Sequence, residues 1–161
     1  MYLSAMRQED VHIENWDWNN LEKHYPAFFK LYVENTQGHE NEKVISLAYI
    51  QKKAEQLPAL FENKQIIFFA AIVQNQLVGF LWAYPRTFIE TPRICINAII
   101  VDEKFRGNKI GEELMGYLES LASSMGISEI DVATAAFKQN TIDWYQRLGY
   151  LPERVQLFKK I

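Results

Sequence analysis

An apolar run that leads through a glycine-bearing loop into an amphipathic helix constrains this chain more than any other feature. Residues 94–101 are apolar on both faces, which is typical of a central strand of a sheet. Loop 102–111 comes next, and the following helix has one apolar stripe and Gly126 placed to end it. The stripe consists of Ile110, Leu114, Tyr117, Leu118, Leu121 and Met125. This order of elements predicts an α/β fold.

The loop itself has the properties of an anion site. Free N–H groups point outward at a helix N-terminus, and the helix dipole stabilises an exposed anion there by about 0.3–1 kcal/mol. Gly107 and Gly111 lack a Cβ and would let a diphosphate approach the backbone, while Arg106 and Lys109 add positive charge. The alternative is a loop with packing glycines before a surface helix. A P-loop is excluded because no Gly-Lys-Ser/Thr run is present, and a dinucleotide fingerprint because the loop has only two glycines.

The remaining elements follow from the period of the apolar residues. Residues 17–35 have helical spacing that Pro26 interrupts, and a second helix is expected from a cap at Asn41, through Val44, to Pro58, which closes it. Strands are predicted at 65–73 and 77–84, joined by a hairpin turn at 74–76. Shorter strands are predicted at 1–6, 128–134 and 154–159.

Composition limits the class of protein. Hydrophobic residues make up 48% and charged residues 23%, as in a globular domain, and the 14% aromatic share indicates a thick core or an aromatic pocket. A net charge of −3 without a basic stripe argues against nucleic-acid binding. The single cysteine, Cys95, excludes an internal disulfide. The chain start lacks a secretory pattern and no apolar run could cross a membrane, so we expect one cytoplasmic domain over residues 1–161 without membrane contact.

Two segments of the chain resemble the GCN5-related N-acetyltransferase (GNAT) family. Residues 99–111 are similar to its acetyl-CoA loop, where Arg106 and Gly111 match the ends of the motif and Lys109 replaces its middle glycine. The later motif of that family is matched by Asn140, Tyr145 and the Gly-aromatic pair at 149–150. The order of elements is similar over nearly the whole chain, although the N-terminal third matches only in layout.

The resemblance implies a GNAT fold, with a mixed central sheet of six to seven strands flanked by about four helices. It also implies acetyl-CoA as co-substrate and no metal. The implied coenzyme contacts are Ile99, Ile100, Val101, Arg106, Gly107, Asn108, Lys109, Ile110, Gly111, Asn140 and Tyr145. Tyr145 would be the general acid that protonates the departing thiolate, and Asn140 would cap its helix or bond the pantetheine arm.

Lys109 leaves two interpretations open. If the position needs a positive φ, lysine costs about 1 kcal/mol there. If it does not, the ammonium group would lie near a coenzyme phosphate, and this is the interpretation we favour.

The proton acceptor and the acceptor amine remain open. A lysine-like amine, with a pKa of about 10.4, must lose a proton before it attacks the thioester. The family's mid-strand carboxylate falls here on Asn97 or Ala98, which leaves Glu90, His24, His39 or a water held by Asn97 as alternatives. Residues expected near the acceptor are Tyr25, Trp82, Tyr84 and Asn97, with Trp16 and Trp18 as further aromatic candidates.

The predicted function is therefore acetyl transfer to a primary amine of a small molecule or peptide by direct attack on the thioester. An acetyl-enzyme at Cys95 is disfavoured because a buried strand cysteine is usually inert. The alternative function is a non-catalytic acyl-CoA sensor or interaction module of the same fold. The resemblance also makes a homodimer a possible assembly.

Overall fold

The computed structural model describes residues 11–40 and 43–161, and its central feature is a five-stranded mixed sheet. Its strands are β1 (Val11–Asn15), β4 (Ile67–Val73), β5 (Gln76–Phe88), β6 (Thr91–Val101) and β7 (Ile130–Val132), in that spatial order. All neighbours are antiparallel except β6 and β7, which are parallel. A separate two-stranded hairpin pairs β2 (Gly38–Glu40) with β3 (Lys43–Ile45).

Helices cover both faces of this sheet. They are α1 (Trp18–Lys23), α2 (Tyr25–Thr36), α3 (Leu47–Ala54), α4 (Leu57–Glu62), α5 (Ile110–Ser124) and α6 (Gln139–Arg147), with a short 3-10 helix at Glu103–Phe105. Helices α1 to α4 share one apolar cluster with Phe68 and Phe80, whereas α5 and α6 share the other with Phe69 and Leu81. Neighbouring residues of each strand thus point to opposite faces. The predicted mixed α/β class is confirmed.

Aromatic side chains fill the core beneath α1 to α4. Phe28, Phe68 and Phe80 are fully buried and lie within 5.0–5.8 Å of one another, measured between ring centroids. The high aromatic share of the sequence therefore supplies a core, which is the first of the two interpretations it allowed.

The second predicted helix differs from the structure. Ser46 caps α3 by accepting a hydrogen bond from the Tyr49 N–H, and Val44 lies in β3, while Asn41 is outside the described residues. Pro58 opens α4 instead of closing a helix, because a proline without an N–H fits the first turn. The predicted break at Pro26 is confirmed, since α1 ends at Lys23 and α2 begins with that proline in its first turn.

The strand predictions were accurate in the middle of the chain and wrong at its end. The turn between β4 and β5 has positive φ at Gln74 and Asn75, as a tight two-residue hairpin requires. A second such turn at Ile89 and Glu90 lengthens β5 and β6 beyond their predicted bounds. Residues 154–159 form no strand, and the strand predicted at 1–6 lies outside the described residues. The central sheet of the described residues consequently has five strands instead of six or seven.

Candidate functional site

Strands β6 and β7 separate after a short stretch of pairing. Parallel pairs join Ile94, Cys95 and Ile96 to residues 130–132. Past this point no strand within residues 11–40 and 43–161 lies beside that edge of β6. A bulge opposite Trp82 and Ala83 places Asn97 without a cross-strand partner at the point of separation. The backbone edge of residues 99–101 is therefore open to a ligand.

A cavity of about 670 Å³ lies beside this open edge, which is within the ordinary size range of ligand pockets, about 300–1,000 Å³. Loop 102–111, the start of α5 and one side of α6 complete its wall. The lining residues are Ile99, Val101, Phe105, Arg106, Gly107, Lys109, Ile110, Gly111, Glu112, Asn140, Thr141, Trp144 and Tyr145.

Most of the predicted coenzyme residues line this cavity, and two do not. The Ile100 side chain packs on the opposite face of the sheet, in the cluster beneath α1 to α4. The Asn108 side-chain amide donates a hydrogen bond to the Phe105 carbonyl at 3.0 Å, which stabilises the loop from within. Asn140 lies in the first turn of α6 and lines the cavity, but Lys138 occupies the N-cap position, so the capping role predicted for Asn140 was wrong.

Lys109 adopts a left-handed backbone. Its φ is 60° and its ψ is 15° at the N-cap of α5, and Gly107 has a φ of 81° two residues earlier. The interpretation that we favoured from the sequence, in which this position needs no positive φ, was wrong. A non-glycine residue in this region carries a steric cost of about 1 kcal/mol.

The Arg106 guanidinium ties the loop to the rest of the fold. Its Nε donates to the Val101 carbonyl at 3.1 Å, and its Nη2 donates to Oδ1 of Asn35 in α2 at 2.7 Å. Arg106 thus lines the cavity while two of its five N–H donors are engaged within the protein.

Gly111 allows α6 to approach α5 closely. A Cβ at this position would lie 3.2 Å from Cζ2 of Trp144, which is tighter than an ordinary van der Waals contact. Trp144 also packs edge-on against Tyr145, with 4.9 Å between ring centroids. The close packing of the two helices therefore explains Gly111, which the sequence analysis had assigned to the approach of a diphosphate to the backbone.

Tyr145 is buried in α6 at the wall of the cavity. Its side chain is packed between Trp144 and Tyr150. Burial raises the pKa of Tyr145 to about 12. The phenol is therefore protonated throughout the neutral range and can donate a hydrogen bond into the cavity.

Two of the residues predicted near the acceptor, Tyr25 and Trp82, belong to the apolar cluster beneath α1 to α4, on the other side of the sheet from α5 and α6. Trp82 is buried against Tyr32, and Tyr25 is half-buried and stacked on Phe29. Tyr84 and Asn97 are exposed. None of these four lines the 670 Å³ cavity.

The predicted proton acceptors are also dispersed. Glu90 is exposed at the tip of the β5–β6 hairpin, and His39 is exposed in β2. His24 stacks on the buried Trp16, and its Nδ1 lies 3.0 Å from the Asn20 carbonyl oxygen.

Sequence analysis missed a polar cluster next to the paired part of β6 and β7. Asp131 forms ion pairs with Arg86 and Arg93, and register pairing places it beside Cys95. Burial alone would raise the pKa of Asp131, but hydrogen bonds from Arg86 and Cys95 hold it below its ordinary value. Burial raises the pKa of the Cys95 thiol. The sequence contains one signal that could have revealed this cluster, an aspartate within a short apolar strand, because such a residue needs a cationic partner.

The chain matches the family model described as "Acetyltransferase (GNAT) family" over residues 18–150. Because this match covers most of the sequence, the chain belongs to the GNAT acetyltransferases. No curated protein matches it significantly.

Solved structures agree with this assignment at the level of the fold. An aminoglycoside acetyltransferase, meta-AAC0020 from an uncultured soil metagenomic sample, solved with sisomicin, has a TM-score of 0.74 and 19% identity, covering 97% of this chain and 99% of that one. AAC(6')-Iy with a CoA bisubstrate analogue has a TM-score of 0.70 and 19% identity, with coverage of 94% and 98%. Glucosamine-6-phosphate N-acetyltransferase from Arabidopsis thaliana has a TM-score of 0.65 and 15% identity, covering 93% of this chain and 97% of that one. At such identities the likeness shows the fold alone.

Family membership supports acetyl transfer as the general activity and acetyl-CoA as its donor. Within the described ranges, no helix has the length and apolar character that crossing a membrane requires.

Proposed function

We propose that this protein transfers the acetyl group of acetyl-CoA to a primary amine by direct attack of the amine on the thioester. The observation that carries the proposal is that one cavity is lined by the open edge of β6, by the positively charged loop and by the buried phenol of Tyr145. The open strand edge would bind the coenzyme's arm, and the loop would bind its phosphates. The phenol would protonate its leaving sulfur.

The coenzyme would enter along the open strand edge. Backbone groups of residues 99–101 would pair with the amides of the pantetheine arm, as a neighbouring strand would. The pyrophosphate would lie at the N-terminus of α5, where free N–H groups and the Lys109 ammonium favour negative charge. Arg106 would act mainly by holding the loop, because Val101 and Asn35 already accept hydrogen bonds from it.

The chemistry needs a polarised carbonyl and a proton for the leaving group. A backbone N–H at the open edge of β6 would stabilise the oxyanion as the C–N bond forms. The C–S bond then breaks, and the proton of Tyr145 passes to the departing sulfur. The acceptor ammonium loses its proton to water beforehand, and Asn97, exposed where β6 and β7 separate, would hold that water. The nitrogen, which is cationic once the C–N bond has formed, releases its second proton to solvent, and the phenolate regains a proton from solvent to complete the cycle.

An aminated sugar is the acceptor class that we propose to test first. Two structural neighbours are aminoglycoside acetyltransferases, and the likeness covers nearly all of both chains. Amino acids, peptide N-termini and other small amines form the rest of the panel.

A non-catalytic acyl-CoA sensor is the second candidate. One observation favours it: the mid-strand position of β6 carries Asn97 and Ala98, neither of which can accept a proton. Tyr145 at the cavity wall favours the enzyme.

Calorimetric titration with acetyl-CoA, using dephospho-CoA for comparison, tests the coenzyme site. We expect micromolar binding that Lys109→Ala weakens, followed by thiol release when the correct amine is added. No binding at millimolar acetyl-CoA would contradict both candidates. Binding without thiol release from any amine of the panel would favour the sensor.

A further inference from the structure

Three polar side chains form a row across β5, β6 and β7, on the face of the sheet opposite α5. Register pairing places Cys95 between Tyr84 of β5 and Asp131 of β7. The residues on either side of Cys95 and of Asp131 pack in the cluster with α5, so alternation directs these two side chains to the other face. Tyr84 follows Trp82 by two residues and shares its face, beneath α1 to α4. The row therefore lies on the side of the sheet away from α5 and α6.

This row is adjacent to the point where β6 and β7 separate. Ile96 forms the last pair with β7, one residue beyond Cys95, and Asn97 comes next. Diagonal neighbours on one face of a sheet lie about 7–8 Å apart, within reach of an aromatic side chain. Tyr84 and Asn97 have this relationship across β5 and β6, and both are exposed. A small group at the point of separation can thus contact both side chains.

The Tyr84 phenol is held by the Cys95 thiol. A hydrogen bond with Cys95 is the main cause that raises the pKa of Tyr84, and burial adds to it. A rise of this kind means that the phenol donates its proton to the sulfur. The thiol also interacts with Asp131, whose carboxylate is fixed by ion pairs with Arg86 and Arg93. The phenolic proton is therefore engaged within the protein, and the phenol oxygen keeps its lone pairs for a ligand.

A nucleophile would reach the thioester from this side of the sheet. The 670 Å³ cavity is lined by residues of the cluster with α5 and α6, among them Ile99, Val101 and Tyr145. Coenzyme bound there would fill the α5 side of the open strand edge. The opposite side would then be left for the acceptor, and Tyr84 and Asn97 are exposed polar side chains on it.

We propose that Tyr84 binds the acceptor amine, its phenol oxygen accepting a hydrogen bond from one N–H group, and that Cys95 is a positioning residue that holds the phenol in this orientation. The inference rests on the acetyl transfer proposed above. A primary ammonium group has three N–H bonds, so it can donate one to Tyr84 and another to the water at Asn97 that takes its proton. The bond to Tyr84 keeps the nitrogen in place while its freed lone pair turns to the carbonyl carbon. Donation to the sulfur also polarises the phenol and strengthens its oxygen as an acceptor.

Steady-state kinetics of Tyr84→Phe test the binding role. The acceptor used is the first amine of the panel that releases thiol with the wild-type protein, starting with sisomicin, the aminoglycoside named for one structural neighbour. We expect the KM for the amine to rise about 10-fold, because one hydrogen bond to a charged group is lost while the ring remains. The kcat should change much less, and the calorimetric Kd for acetyl-CoA should not change.

Tyr117→Phe is the matched control. Tyr117 is also an exposed tyrosine, but it lies on α5 and packs against Phe69 on the opposite face of the sheet. Loss of its hydroxyl should leave the KM for the amine and the Kd for acetyl-CoA at their wild-type values.

Substitutions of Cys95 test the positioning role. Cys95→Ser keeps an acceptor for the phenolic proton, and the KM for the amine should stay close to the wild-type value. Cys95→Ala removes that acceptor and should raise the same KM by about 3-fold or more. Thermal unfolding verifies that both variants fold. Equal KM values for the serine and alanine variants would refute the positioning role.

The outcomes separate this inference from the proposed function. Thiol release by the wild-type protein, with an unchanged KM for the amine in Tyr84→Phe, would overturn the assignment of Tyr84 and leave acetyl transfer in place. A weaker Kd for acetyl-CoA in that variant would place Tyr84 at the coenzyme instead, which also overturns the assignment. Binding of acetyl-CoA without thiol release from any amine of the panel would refute both proposals.

Discussion

Nη2 of Arg106 donates a hydrogen bond to Oδ1 of Asn35 across 2.7 Å, and this contact joins the loop at the candidate coenzyme site to helix α2. The two residues are 71 positions apart in the sequence. Asn35 is itself oriented, since its amide nitrogen donates to the Leu31 carbonyl at 2.8 Å. The loop is therefore positioned by a helix on the opposite face of the sheet from α5.

Asn35→Ala should weaken acetyl-CoA binding without removing any charge from the site. A hydrogen bond to a charged group contributes about 1.5–3 kcal/mol, so we expect the Kd to rise about 10-fold as the loop loses its position. Calorimetric titration measures this change. Glu34→Ala is the matched control, because Glu34 is the neighbouring residue on α2 and pairs with the exposed Lys30 at 3.8 Å. An unchanged Kd for Asn35→Ala would show that the loop does not depend on α2.

Lys109→Gly should raise the free energy of unfolding by about 1 kcal/mol, because glycine adopts the left-handed backbone without a steric cost. Lys109→Ala should give no such gain, since alanine has the same Cβ. Both changes should weaken acetyl-CoA binding if the ammonium contacts a phosphate. Chemical denaturation and calorimetry measure the two effects separately. Equal stability of the two variants would argue against strain at this position.

The cavity wall was largely predictable because its parts are local in sequence. The loop between β6 and α5 carries its glycine, its charges and the following apolar stripe within one short segment. The α6 motif similarly places Asn140 and Tyr145 one and a half turns apart on a single helix. Local patterns of this kind specify which residues meet when the neighbouring elements are correctly identified.

Features that depend on distant pairing were not predictable. Asp131 meets Arg86 only because β7 adds to β6 in one register. Val44 was assigned to a helix because three-residue strands are too short to show a period of two. The left-handed φ of Lys109 was indicated only by the glycine that the family motif has at this position, whereas the residue type itself argues against it.

Two glycines of α5 should respond oppositely to the same substitution. Gly116→Ala should stabilise the protein by about 1 kcal/mol, because alanine favours a helix and, among the described residues, the added methyl group would meet no heavy atom within 4 Å beyond its chain neighbours and its own helix backbone. Gly111→Ala should lack this gain, because its methyl group would press on Trp144 at 3.2 Å. Thermal unfolding and tryptophan fluorescence measure the two outcomes. Similar stabilisation by both changes would mean that α6 moves freely away from α5.

Tyr145→Phe should lower kcat by about 100-fold while leaving the KM for acetyl-CoA nearly unchanged, since phenylalanine keeps the ring contacts but cannot donate a proton. The active form of Tyr145 is the protonated one, and its pKa of about 12 means that this form persists well above neutral pH.

Deprotonation of Tyr145 therefore cannot lower the wild-type rate between about pH 7 and pH 10. The rate should rise over this range as the acceptor amine loses its proton. Assays of thiol release at a series of pH values across that range measure the pH–rate profile of both proteins. A wild-type rate that falls near pH 9, or a Tyr145→Phe variant with full kcat, would exclude this phenol as the proton donor.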